Sequence, residues 1–260
     1  MVGVTNPGVP RFSVTAARLF AVQSAWSYER MLGIGFGHAI EPLLRPLRAQ
    51  GGARYAEALA RQSRFFNAHP FVTSIAVGAA ARVELDGEPP ERIERLRAAL
   101  CGPLGALGDR LIWAGWLPAC VGVGLLLVAA GAGAWGVAAF FALFNVVHVG
   151  LLVWGLRAGW HAGMRVAAAL ANPFLQRGLE VVGPLAALAV GAALPVVLVW
   201  VVRGAGMGVA WSVAWQPLVA ALAGAAVFAA ATHRFGTRLT ALSAAILVLG
   251  VVVAGGELWG

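Results

Sequence analysis

From Leu111 to Leu156 the chain carries no Asp, Glu, Lys or Arg, and a single imidazole, His148, interrupts the run. A run of this length supplies two membrane spans of about 20 residues each. Unsatisfied backbone N–H and C=O groups cost several kcal/mol apiece in hydrocarbon, so a lipid-exposed run of this kind has to be helical. Composition extends the conclusion to the whole chain. Hydrophobic residues make up 60% of it and charged residues 12%, against about 45–50% and about 25% in soluble domains. The sequence therefore predicts an all-α integral membrane protein.

Two spans are expected near 112–132 and 136–156, with Gly131 and Gly133 at the turn between them. Three more are expected near 181–202, 209–231 and 239–256, about five C-terminal transmembrane helices in all. Loop charge orients them. Arg157, Arg165 and Arg177 precede the third span, and Arg234 and Arg238 precede the fifth. Only Arg203 follows the third, and no charge follows the first. Basic loops face the cytoplasm, which predicts a cytoplasmic N-terminus and an outside C-terminus in a multi-pass bacterial inner-membrane protein. No cleavable signal is expected, because Arg11 and Arg18 interrupt the first apolar stretch.

Nine of the eleven acidic residues and thirteen of the nineteen arginines lie in residues 1–110. Charge thus divides the chain into a cytoplasmic N-terminal portion, 1–110, and a transmembrane helical domain, 111–260. Two apolar stretches in the first portion, MLGIGFGHAI and FVTSIAVGAAA, are too short to span. Stretches of this length are buried, interfacial or re-entrant, and re-entrant hairpins are expected in this half. Residues 50–64 and 88–100 read as helical arms. Glu57/Arg61 and Glu91/Arg95 are spaced for i,i+4 pairing, Ile93, Leu96 and Leu100 form an apolar stripe, and Pro89 and Pro90 suit a first turn.

The net charge of +8 does not indicate nucleic acid, since the arginines form no compact basic run. Cys101 and Cys120 are too few for a zinc site or a disulfide framework. His38, His161 and His233 lack metal-ligand spacing. No Gly-x-x-x-x-Gly-Lys motif occurs, so no metal and no cofactor is expected.

Four stretches make unusual residue choices for so apolar a chain: QSAWSYERMLGIGFGHAIEPLLR (23–45), RQSRFFNAHPFVTSIAVGAAARVE (61–84), CGPLGALGDRLIWAGWLPA (101–119) and FFALFNVVHVGLL (140–152). In order and spacing, Trp26 to Phe36, Phe65 to Phe71, Gly102 to Trp113 and Phe140 to Asn145 resemble the motifs of the IID membrane component of mannose/fructose/sorbose-type sugar phosphotransferase systems. FLQRGLE (174–180) resembles a further family stretch. There are departures: Arg110 stands where the family has Pro, His69 where Gln is common, and few residues separate Val202 from Val209.

The resemblance implies a membrane subunit that pairs with a IIC subunit to import a hexose, in trimers of IIC–IID pairs. IIA and IIB proteins would carry the phosphate, and this chain would hold no catalytic residue. It further implies a substrate pathway or subunit interface at Asn67, His69, Gly105, Gly108, Asp109 and Arg110. A structural motif would comprise Trp26, Glu29, Arg30, Gly35, Phe36, Pro70 and Asn145. Read from the residues alone, Asp109 and Arg110 either end a re-entrant GPLGALGD turn at a cavity or seam, or snorkel from the end of a span. Asn67 and His69 either face sugar hydroxyls or cap a helix. Asn145 suits an interhelical hydrogen bond. Two rival functions are a regulatory subunit that no longer transports, and an intramembrane enzyme using Glu84, His69 or His148.

Overall fold

A computed structural model describes residues 11–204. Every element within them is helical: α1 (Phe12–Leu19), α2 (Gly33–Leu44), α3 (Gly52–Gln62), α4 (Thr73–Asp86), α5 (Pro90–Gly108), α6 (Leu117–Leu127), α7 (Ala134–Ala162), α8 (Val166–Leu170) and α9 (Pro173–Gly204). A π-helical stretch, Asp109–Trp116, joins α5 to α6. The result is one long helix over Pro90–Ala132, the first of three helices among the described residues that are long and apolar enough to cross a membrane. Ala134–Arg165 and Pro173–Leu194 are the others. These three correspond to the first three expected spans; the expected fourth and fifth spans lie outside the described residues.

Local chemistry sets the helix ends. Proline occupies the first turn of α5, where its missing N–H is not needed. The first two spans separate where expected, at Gly131 (φ 94) and Gly133 (φ 52), backbone conformations that favour glycine.

Packing forms two compact units within the described residues: 11–113 with 144–179, and 114–143 with 180–204. The first contains Phe36, Ile40, Leu44, Phe66, Ile75, Ile93, Leu104, Leu152 and Leu156, all nearly fully buried. Both short apolar stretches lie there as buried helices, α2 and α4. Small residues let α4 and α7 cross closely: a Cβ on Gly159 would strike the Ile75 carbonyl, and one on Gly78 the Leu156 carbonyl. This is the small-residue packing that serves helix pairs in membranes. In the second unit α6 meets α9 at Gly122 and Ala189.

The GPLGALGD stretch differs from its expected turn. Residues 102–108 continue α5, and Asp109 begins the π-helical stretch. Gly102, Gly105 and Gly108 recur every third residue, so they lie along one side of the helix instead of bending it. The predicted Glu57–Arg61 and Glu91–Arg95 ion pairs are also absent among the described residues. Arg61 bonds Glu84, and Arg95 donates to the Glu91 carbonyl. A buried bidentate acceptor wins over an exposed i,i+4 partner worth only a few tenths of a kcal/mol.

Candidate functional site: a buried histidine against Gly108

Between α3 and α4 the chain runs irregularly from Ser63 to Val72. Buried arginine chemistry holds this connection. Arg97 of α5 is 5% exposed and donates to the carbonyls of Arg61 (2.9 Å), Gln62 (3.2 Å) and Arg64 (3.3 Å). It thereby satisfies carbonyls that the end of α3 leaves open. Its guanidinium also lies over the rings of Phe36 and Phe66. Alongside, Glu84 of α4 accepts from Arg61 and from Gln62. Sequence reasoning passed over Arg97, although a signal was there. Ile93, Arg97, Leu100 and Leu104 recur at helical spacing and are all buried, whereas Leu96, assigned to the stripe from sequence, is half-buried.

The connection delivers His69 into the interior, where it is 3% exposed. Its Nδ1 accepts the Phe71 N–H at 3.3 Å, which leaves Nε2 as the N–H donor of a neutral ring. That buried Nε2 has no hydrogen-bond partner among the described residues. Burial lowers the imidazole pKa to about 4, against the opposing pull of the Asp109 carboxylate; His148 lowers it further. The ring packs edge-on to Trp113 (5.3 Å) and Phe71 (5.4 Å), and Phe71 stacks on His148 at 3.6 Å. Gly108 makes room for the imidazole, since a Cβ there would land on its ring.

The other predicted residues fall into three places. His69, Pro70, Gly108 and Asp109 belong to this cluster, and Asn67 is exposed on the connection leading into it. Arg110 lines a separate cavity of about 270 Å³ with Leu107, Leu170, Gln176 and Leu179, and a Cβ on Gly105 would meet nothing within 4 Å. The Trp26–Phe36 motif is buried at its end and exposed at its start. Phe36 packs on Phe66 at 4.6 Å, and a Cβ on Gly35 would strike the Val22 carbonyl. Met31 takes a positive φ of 50 and bridges to Phe66. Trp26 and Tyr28 stack edge-to-face while exposed, and Glu29 and Arg30 are exposed with no ion pair among the described residues. Asn145 is exposed on α7 and is not without a partner.

Of the other ionisable groups in this interior, Glu84 accepts from Arg61 and Gln62, and Phe71 contacts His69 edge-on and His148 by stacking.

Residues 11–255 match the family described as the PTS system mannose/fructose/sorbose family IID component. The chain belongs to this family. Among its relatives, the mannose-specific EIID component of Escherichia coli (strain K12) is 28% identical over 163 residues, 61% of this chain and 57% of that one. The fructose permease IID component of Bacillus subtilis (strain 168) is 29% identical over 60% and 58% of the two chains. The sorbose-specific EIID component of Klebsiella pneumoniae is 31% identical over 61% and 59%. The IID chain thus aligns over less than two thirds of the length of these relatives. Its fold resembles a chain in a cryo-EM structure of the mannose transporter ManYZ with microcin E492, with a TM-score of 0.56 at 20% identity over 96% of this chain and 98% of that one. A second solved membrane protein matches with a TM-score of 0.63, also at 20% identity and the same coverage.

Proposed function

We propose that this IID chain is the membrane subunit of a mannose-type permease. It pairs with a IIC subunit to admit a hexose that the IIB protein phosphorylates during uptake. The observation that carries the reading is the family match over residues 11–255. No residue of this chain performs chemistry in it; IIA and IIB supply the phosphoryl group. The full arrangement has five C-terminal spans, a cytoplasmic N-terminal portion of about 110 residues, and the C-terminus outside the bacterial inner membrane. The short buried helices α2 and α4 serve as its re-entrant elements, and IIC–IID pairs assemble as trimers.

The His69 cluster gives the pathway or the subunit seam its polar groups. A neutral imidazole whose Nε2–H has no acceptor among the described residues holds a donor for a sugar hydroxyl or a IIC carbonyl when this interior opens during transport, without bringing a buried charge. Asn67 and Asp109 add an amide and a carboxylate beside it. The exposed Trp26, Tyr28 and Arg30 side chains support a docking role for that end of the motif, because aromatic and arginine side chains are enriched at interfaces.

The test is phosphoenolpyruvate-dependent uptake of labelled mannose, glucosamine and fructose. The host lacks its own mannose system and expresses this chain with IIC and IIAB partners. Uptake of at least one sugar should require this chain. A complex that assembles with IIC and moves none of a broad hexose panel would overturn the reading.

A further inference from the structure

Arg110 is the last charged residue before the long apolar run that begins at Leu111. It makes no hydrogen bond or ion pair with any described residue, and no carboxylate lines its cavity. Leucines from three helices form the greasy part of the wall: Leu107 from α5, Leu170 from α8 and Leu179 from α9. The other polar side chain is Gln176, whose Nε2 already donates to the Leu170 carbonyl at 3.2 Å.

The surroundings give the cavity a depth. Arg165 and Arg177 flank, in sequence, the segments that contribute Leu170 and Gln176, so the cavity lies on the arginine-rich side of the spans. Trp113, half exposed, follows one turn after Arg110, as residues of an interfacial belt do. An unpaired arginine at this boundary reaches towards headgroups.

We infer that this cavity is a binding site for an anionic phospholipid, with the headgroup phosphate on Arg110 and the upper part of one acyl chain against Leu107, Leu170 and Leu179. Charge complementarity selects an anion, and basic pockets between spans on the cytoplasmic side recognise such headgroups. The apolar wall selects a lipid over a free anion. Inorganic phosphate could use the guanidinium but has no apolar part to set against Leu107, Leu170 and Leu179, and leaving that wall uncovered gains nothing from burial. The site is independent of sugar transport and holds whether or not the chain imports a hexose.

Native mass spectrometry of the full chain in detergent, titrated with phosphatidylglycerol and separately with phosphatidylcholine, tests it. Wild type should prefer phosphatidylglycerol by about fivefold, which corresponds to about 1 kcal/mol for one arginine near the bilayer surface. Arg110→Gln should bring the two lipids to parity, and Arg110→Lys should keep the preference. Leu170→Trp, which fills the cavity, should weaken both lipids while thermal melting reports an intact fold. Retention of the preference in Arg110→Gln would overturn the inference. So would displacement of phosphatidylglycerol by millimolar inorganic phosphate, which would make the site one for a free anion.

Discussion

Replacing Glu84 by alanine tests whether the connection that carries His69 is held by buried charge. In wild type the carboxylate is 4% exposed and accepts from Arg61 Nε and Nη2, each at 2.9 Å, and from Gln62 Nε2 at 2.7 Å. Alanine leaves the Arg61 guanidinium, 13% exposed, without its counter-charge. Breaking a buried pair by removing one partner costs about 3–5 kcal/mol. Arg61 retains some access to solvent, so the lower end applies, about 3 kcal/mol. At about 2–4 °C per kcal/mol for a chain of this size, the melting midpoint should fall by about 6–12 °C. With Cys101, which is already partly exposed, replaced by serine in every variant, a thiol-reactive dye can follow unfolding through Cys120, 1% exposed in the fold. Arg82→Ala is the control: its pair with Asp86 is close to half exposed on both sides, a kind of contact worth under about 1 kcal/mol. Glu84→Leu combined with Arg61→Met should recover much of the loss, since an apolar pair can replace a buried ionic one. A midpoint for Glu84→Ala within about 2 °C of Arg82→Ala would refute the reasoning.

Two further outcomes are expected. Gly108→Val should drive its branched side chain into the His69 ring, costing about 1–3 kcal/mol as overpacking does; reconstituted uptake should drop while Gly105→Val, in open space, leaves the melting midpoint nearly unchanged. Arg45, Tyr55 and Arg18 hydrogen-bond Glu41 and hold its pKa at about 2, against an ordinary 4.5. Its contribution is therefore complete above about pH 4.5 and is lost as pH falls towards 2, so Glu41→Gln should flatten that part of the wild-type melting-point-against-pH curve.

Much of the fold was legible because hydrocarbon leaves a chain few choices. The charge-free run, its glycine break and the arginine-rich loop after it locate the first three spans, since desolvated backbone must be helical and Arg cannot stay at the bilayer centre. The double proline was legible as the start of α5 for an equally local reason, whereas the length of the two short apolar stretches said only that they do not span and left open whether they are buried, interfacial or re-entrant.

What the tertiary structure decided concerns partners. Glycines at 102, 105 and 108 suggest a turn when read along the chain, and become one side of a helix once His69 needs the space at Gly108. Glu57 and Glu91 look like the mates of Arg61 and Arg95 by spacing, yet Arg61 finds Glu84 from another helix. Arg97 reads as one more charge on a solvated arm, and in the fold it caps α3 from the core. The sequence by itself determined which segments leave water, because transfer free energy adds residue by residue. Which polar groups meet inside was decided only when helices distant in the chain packed together, because a hydrogen bond depends on the position of both of its ends.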